Sequence, residues 1–248
     1  MKRIATLFAA AAALAGCGGP ASTTGKVIAA RAERCAAGSF RALGSRKLAY
    51  AAVVRSRAAA YRAPGGARFA SFEKLNVNGY PIVFGVLGAV VKTSCKPAWY
   101  RVQLPQKPNG ATGYVRARDV EVATVDSRIV VDVSARRLVL YRKGRPVLSA
   151  TTAVGSTATP TPTGRFYVNQ RLVPADTSGP YGPGAIGVSA FSNVLTGWTQ
   201  GGPIAIHGTN EPWSIGRAVS NGCIRLPNPV LRRLFAATPA GTPVIIRP

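Results

Sequence analysis

The chain has 248 residues, 47% of them hydrophobic and only 16% charged, which excludes a disordered polyelectrolyte and leaves room for two modest domains with packed cores. Its 32 lysines and arginines against 8 acids give a net charge of +24, so a polyanion is a natural neighbour. With a single histidine and scattered acids, no ligand cluster has metal-site spacing, and neither a metal nor another cofactor is expected.

Lys2-Arg3 followed by the apolar run Ile4 to Ala15 has the charged and hydrophobic regions of a secretory signal, residues 1–16, and the run is too short for a membrane span. It ends in Leu14-Ala15-Gly16-Cys17, which resembles a bacterial lipobox. That resemblance implies cleavage before Cys17 and a membrane anchor of several acyl chains on this residue, since one chain binds only marginally. Ordinary cleavage nearby, with Cys17 discarded or left as a thiol, is the alternative. Residues 17–47 then form a tether, flexible from Gly18 to Gly25 and basic from Lys26 to Arg46, with a short helix over Val27 to Cys35. Export argues against nucleic acid as the partner. The charge then faces anionic lipid, anionic wall polymers or peptide carboxylates, unless it reflects only a genome that favours arginine.

Residues 48–122 change to short β-rich runs: Ala49 to Val54, a second closed by the Pro64-Gly65-Gly66 turn, and Pro81 to Val91 with Gly85 and Gly88 as bulges or bends. Trp99 to Leu104 alternates, and Gly113 to Arg116 follows the Pro108-Asn109-Gly110 turn. Regular short strands predict a small barrel. Through Tyr61-Arg62-Ala63-Pro64 and Gly113-Tyr114-Val115 the stretch resembles a bacterial SH3-like domain, which implies a wall-binding or positioning module; a plain spacer is the alternative.

Residues 125–248 predict an all-β body with one late helix. Strands are expected at Arg128 to Val133, Arg137 to Tyr141, Val147 to Val154, Gly164 to Leu172, Ala185 to Phe191, Pro203 to Ile206 and Thr242 to Ile246. Val230, Leu231, Leu234 and Phe235 after Pro227-Asn228-Pro229 give the helix. Asp176 to Gly184, with Pro180, Gly182 and Pro183, is a loop long enough to act as a lid.

This half holds the only histidine, in Ile206-His207-Gly208-Thr209, and a cysteine sixteen positions later in Ser220-Asn221-Gly222-Cys223-Ile224-Arg225-Leu226. A thiol needs a neighbouring base at neutral pH, and imidazole is the side chain suited to that task. Read alone, both are as well explained as buried packing and a satisfied polar group. The whole string from Arg217 to Leu226, with His207-Gly208-Thr209 and Thr161-Pro162-Thr163-Gly164-Arg165-Phe166, resembles the L,D-transpeptidase catalytic domain, the YkuD family. The family usually carries a second histidine two residues before the cysteine, where this chain has Asn221, a residue that hydrogen-bonds but does not titrate.

The resemblance implies a β-sandwich in which Cys223 attacks a tetrapeptide stem of peptidoglycan and an amine of another stem resolves the thioester. His207, oriented by the Gly208 carbonyl, takes the thiol proton or already holds it as an ion pair. The N–H groups of Gly222 and Cys223 receive the oxyanion. Asn221 and Ser220 support the turn, while Arg225 and Thr209 are candidate substrate contacts; an ion pair for Arg225 and turn-holding for Ser220 and Thr209 are the plain alternatives. Other readings are an L,D-carboxypeptidase using water as acceptor, and a degenerate wall-binding lipoprotein. If Cys17 is lipidated and Cys223 is the nucleophile, Cys35 and Cys95 remain as an even pair in an oxidising compartment.

Overall fold

The computed structural model describes residues 34–195 and 197–248. The signal at 1–16, Cys17, and the tether and helix up to Glu33 lie outside the described residues. The first sheet contains β1 (Phe40–Ala42), β2 (Ala49–Val54), β3 (Arg57–Tyr61), β4 (Arg68–Glu73), β5 (Val83–Val91), β6 (Pro97–Gln103), β7 (Thr112–Arg116) and β8 (Val120–Val125). Its order is β4-β3-β7-β6-β5-β2-β8, with β1 also on β5. Alternation decides which face is inward: along β3, Ala58 and Ala60 are buried while Arg57 is exposed, and both pack with Phe84, Val102, Leu104 and Val115. The two segments with the SH3-like resemblance meet here, because Tyr61 pairs with Tyr114.

β1 lies within residues 17–47, which the sequence read as tether. Two features hold it in the sheet: Phe40 to Ala42 pair with Gly88 to Val90, and a Cys35–Cys95 disulfide ties the preceding segment to the end of β5. Gly88 and Gly85 are glycines for reasons of room. A Cβ at Gly88 would sit 2.2 Å from the Phe40 ring, and one at Gly85 2.9 Å from the ring of Tyr167.

The second half contains β9 (Ser127–Asp132), β10 (Arg137–Arg142), β11 (Arg145–Thr151), β12 (Val154–Gly155), β13 (Gly164–Leu172), β14 (Ala185–Phe191), β15 (Pro203–His207), β16 (Ala218–Ser220), β17 (Ile224–Arg225), α1 (Asn228–Ala237) and β18 (Pro243–Arg247). One path runs β11-β10-β9-β18-β13-β14-β15-β17, and β13 is shared between the two layers of a β-sandwich. Ile129, Val131, Leu138, Leu140, Val168, Ile186, Val188, Ile204, Ile206, Ile224 and Leu226 fill one core with Leu231 and Leu234 from α1. Strands covered on both faces carry near-continuous apolar runs, as β14 does. The protein is thus mostly β, with one α-helix among the described residues.

The two sheets belong to one compact unit. Tyr167 of β13 packs on Gly85 of β5, Gln103 Nε2 donates to the Arg165 carbonyl (2.6 Å), and Asn109 exchanges two 2.8 Å hydrogen bonds with the backbone of Phe191.

Candidate active site

The site grows out of strand parity. β15 and β17 run parallel, with Ile206 opposite Ile224 and His207 opposite Arg225. Ile204, Ile206, Ile224 and Leu226 point into the core and are essentially inaccessible. The alternate residues Ala205, His207, Cys223 and Arg225 therefore share the other face. One residue before the Ile206–Ile224 pair, Cys223 is level with Ala205. It is thus a diagonal neighbour of His207, one strand spacing of about 4.8 Å across and about 6.6 Å along.

His207 is 5% exposed, and its Nδ1 lies 2.5 Å from the Gly208 carbonyl oxygen. A carbonyl only accepts, so Nδ1 carries the proton and Nε2 keeps its lone pair. Burial pushes the imidazole down to about 4 against the raising effect of the Gly208 hydrogen bond, and Arg225 lowers it further. Burial also pushes the Cys223 thiol up, opposed by a hydrogen bond with the Ala205 backbone and by Arg225. Both shifts favour the neutral forms, thiol and imidazole. No hydrogen bond joins the two side chains.

Cys223 opens into a cavity of about 670 Å³ that also contains Ala205, Gly187 and Tyr181. The Tyr181 ring lies edge-on to His207 with centroids 4.9 Å apart, so the Asp176 to Gly184 loop rests directly on the imidazole. That close approach explains two glycines: a Cβ at Gly208 would fall 2.7 Å from Pro183 Cδ, and one at Gly182 2.9 Å from Gly208 Cα.

The turn before Cys223 is tied down from three sides. Ser220 Oγ donates to the Cys223 carbonyl at 2.6 Å and accepts from the Gly222 N–H at 3.2 Å. Thr161 Oγ1 donates to the Gly222 carbonyl (2.9 Å) and accepts from the Gly155 N–H (2.8 Å), and Thr159 Oγ1 donates to the Ser220 carbonyl. Gly222 has φ +107°, which a side chain rarely tolerates. The Gly222 N–H is engaged by Ser220, and the Cys223 N–H makes no hydrogen bond to a described residue.

Arg225 and Thr209 make the contacts that are the plain alternatives to substrate binding. Arg225 is ion-paired with Glu211 through Nη1 and Oε2, so its partner is a carboxylate of the chain itself. Thr209 is buried; its N–H donates to Asn228 Oδ1 (2.8 Å) and its Oγ1 accepts from the Glu211 N–H (2.9 Å), so both groups hold the turn. Asn221 is exposed and makes no side-chain hydrogen bond to a described residue. Asn228, Glu211 and Tyr181 escaped the sequence reading, because only the fold brings them to the site. Among the described residues, no three His, Cys, Asp or Glu side chains cluster to hold a metal.

Fold and site together define a β-sandwich protein with a cysteine and a neutral histidine on one sheet face, under a loop. A profile of the L,D-transpeptidase catalytic domain (YkuD) matches residues 126–246. The putative L,D-transpeptidase YkuD of Bacillus licheniformis is 39% identical over 125 residues, covering 50% of this chain and 68% of that protein. The putative L,D-transpeptidase YqjB of Bacillus subtilis is 30% identical, covering 49% and 71%. The chain belongs to the YkuD family of L,D-transpeptidases. A cysteine-to-serine mutant of Enterococcus faecium L,D-transpeptidase overlaps half of each chain at 28% identity, with a TM-score of 0.38.

Proposed function

We propose that the protein is a peptidoglycan L,D-transpeptidase that works through a Cys223 thioester. The observation that carries this reading is the fixed tautomer of His207: with Nδ1–H on the Gly208 carbonyl, Nε2 is an unprotonated base on the same face as the thiol. Cys223 Sγ attacks the amide carbonyl joining the third stem residue to terminal D-alanine while His207 Nε2 takes the thiol proton. The Cys223 N–H faces the developing oxyanion, joined by the Gly222 N–H once Ser220 releases it. The imidazolium returns its proton to the departing D-alanine amine, leaving the thioester. An amine of a second stem then attacks, His207 takes its surplus proton and passes it to the leaving thiolate, and a new amide links the stems. Tyr181 and its loop cover the base from water.

A lipid on Cys17 holds the protein at a bacterial membrane facing the wall, where its positive charge suits anionic polymers. The first sheet acts as an SH3-like positioning module. Intact mass after incubation with a carbapenem-type β-lactam tests the chemistry. Wild type should gain one adduct, Cys223→Ala none, and His207→Ala should acylate about 10² to 10⁴ times more slowly. With a tetrapeptide-stem muropeptide, a cross-linked dimer is the expected product. A tripeptide alone would assign a carboxypeptidase; an adduct on Cys223→Ala would overturn the nucleophile.

A further inference from the structure

The face that carries Cys223 continues sideways across the sheet. Gln170 of β13 pairs with Gly187 of β14, Gly187 pairs with Ala205 of β15, and Ala205 is level with Cys223. These positions form one row, with only a glycine and an alanine between the thiol and the carboxamide. Three strand spacings make it about 14 Å long, the span of about four extended residues. The cavity of about 670 Å³ takes in the whole row and also Asn78, from the loop between β4 and β5 of the first sheet. A neighbouring cavity of about 490 Å³ shares Asn78, Asn169 and Gln170 and continues over that sheet.

At the far end of the row, hydrogen-bonding capacity is left over. The β13–β14 register shifts between Val168 and Gln170, so Asn169 and Gln170 both come to Gly187; bulges re-aim side chains in this way. A Cβ on Gly187 would lie 2.7 Å from Asn169 Oδ1 and 3.2 Å from Gln170 Nε2, so only glycine leaves both in place. Asn169 Oδ1 is buried without a hydrogen-bond partner. Gln170 Oε1 accepts from Asn76 (2.7 Å) and Asn78 (3.1 Å), which orients its amide, while Nε2 donates to no described residue. Asn78 is in turn held by Gln200, whose Nε2 donates to Asn78 Oδ1 at 3.1 Å. An acceptor beside a donor over a bare glycine is the complement of a peptide amide, which offers one N–H and one C=O.

We propose that this row is a peptide groove completed by the first sheet. An extended stem lies over Ala205 and Gly187 with its reacting carbonyl at Cys223. An amide near its other end pairs with Asn169 and Gln170, set in place by Asn76 and Asn78. The proposal rests on the L,D-transpeptidase reading for its occupant, and it makes the first sheet part of substrate selection and more than a spacer.

Titration of a synthetic tetrapeptide stem, and of the same stem lacking its first residues, into Cys223→Ala protein tests the groove without any chemistry. The parent should bind the long peptide more tightly than the short one. Gln170→Ala and Asn78→Ala, each added to Cys223→Ala, should weaken the long peptide roughly three- to ten-fold and bring no further loss for the short one. Asn78 lies outside the catalytic sheet, so agreement of the two variants separates the groove from damage to β13. The proposal is overturned if both peptides bind the parent equally, if the variants weaken both in proportion or neither, or if the tetrapeptide fails to bind. Failure of wild type to form the β-lactam adduct would instead strike the thioester reading, with these titrations standing separately.

Discussion

The buried, neutral His207 should make this protein lose stability in mild acid through one identifiable group. In the unfolded chain the imidazole takes a proton near its ordinary 6.5; in the fold it resists down to about 4 because burial penalises the cation. Between those values the unfolded state binds the extra proton, so stability is complete above about pH 6.5 and falls as the pH drops towards 4. The full gap corresponds to roughly 3 kcal/mol at about 1.4 kcal/mol per pH unit, of which about 2 kcal/mol is lost between about pH 7.5 and 5. His207 is the only histidine in the sequence, so no other imidazole titrates in that window. Thermal melts should therefore show the melting temperature about 4 to 8 °C lower at pH 5 than at pH 7.5. In His207→Gln most of that difference should vanish. Parallel pH dependence in wild type and variant would refute a buried neutral imidazole, and with it the resting state assigned to the pair.

The Cys35–Cys95 bridge closes a loop with a sequence separation of 60, so Cys35→Ser with Cys95→Ser should cost about 4 kcal/mol on the chain-entropy model, read as a lower denaturation midpoint; an unchanged midpoint would contradict it. Asn221 is exposed, so Asn221→His should change β-lactam acylation far less than His207→Ala does; activity appearing only in Asn221→His would mean a degenerate binding protein. Cys17→Ser should move the protein from the membrane to the soluble fraction, and equal membrane retention would rule out the lipid.

Much of this molecule was legible from local pattern. Apolar β-rich runs bounded by turn residues set β13 and β14 to the residue, and the one-sided apolar spacing set α1 to within a turn, because burial leaves its pattern in the chain itself. His207 and Cys223 stood out because histidine and cysteine are rare residue types in this chain and lie within a specific string. The short strands did not: β1, β16 and β17 have two or three residues each, fewer than a period needs to show. What only the tertiary structure decided was pairing between residues far apart in sequence. Parallel pairing of β15 with β17 sets the thiol level with Ala205 and diagonal to the imidazole. Glu211 reaches Arg225, Thr161 Oγ1 donates to the Gly222 carbonyl across 61 positions, and Asn78 meets Gln170 across 92 positions of sequence. A contact closed over such a loop leaves no periodic trace, because its geometry comes from strand order and register in the folded sheet and not from the residues on either side.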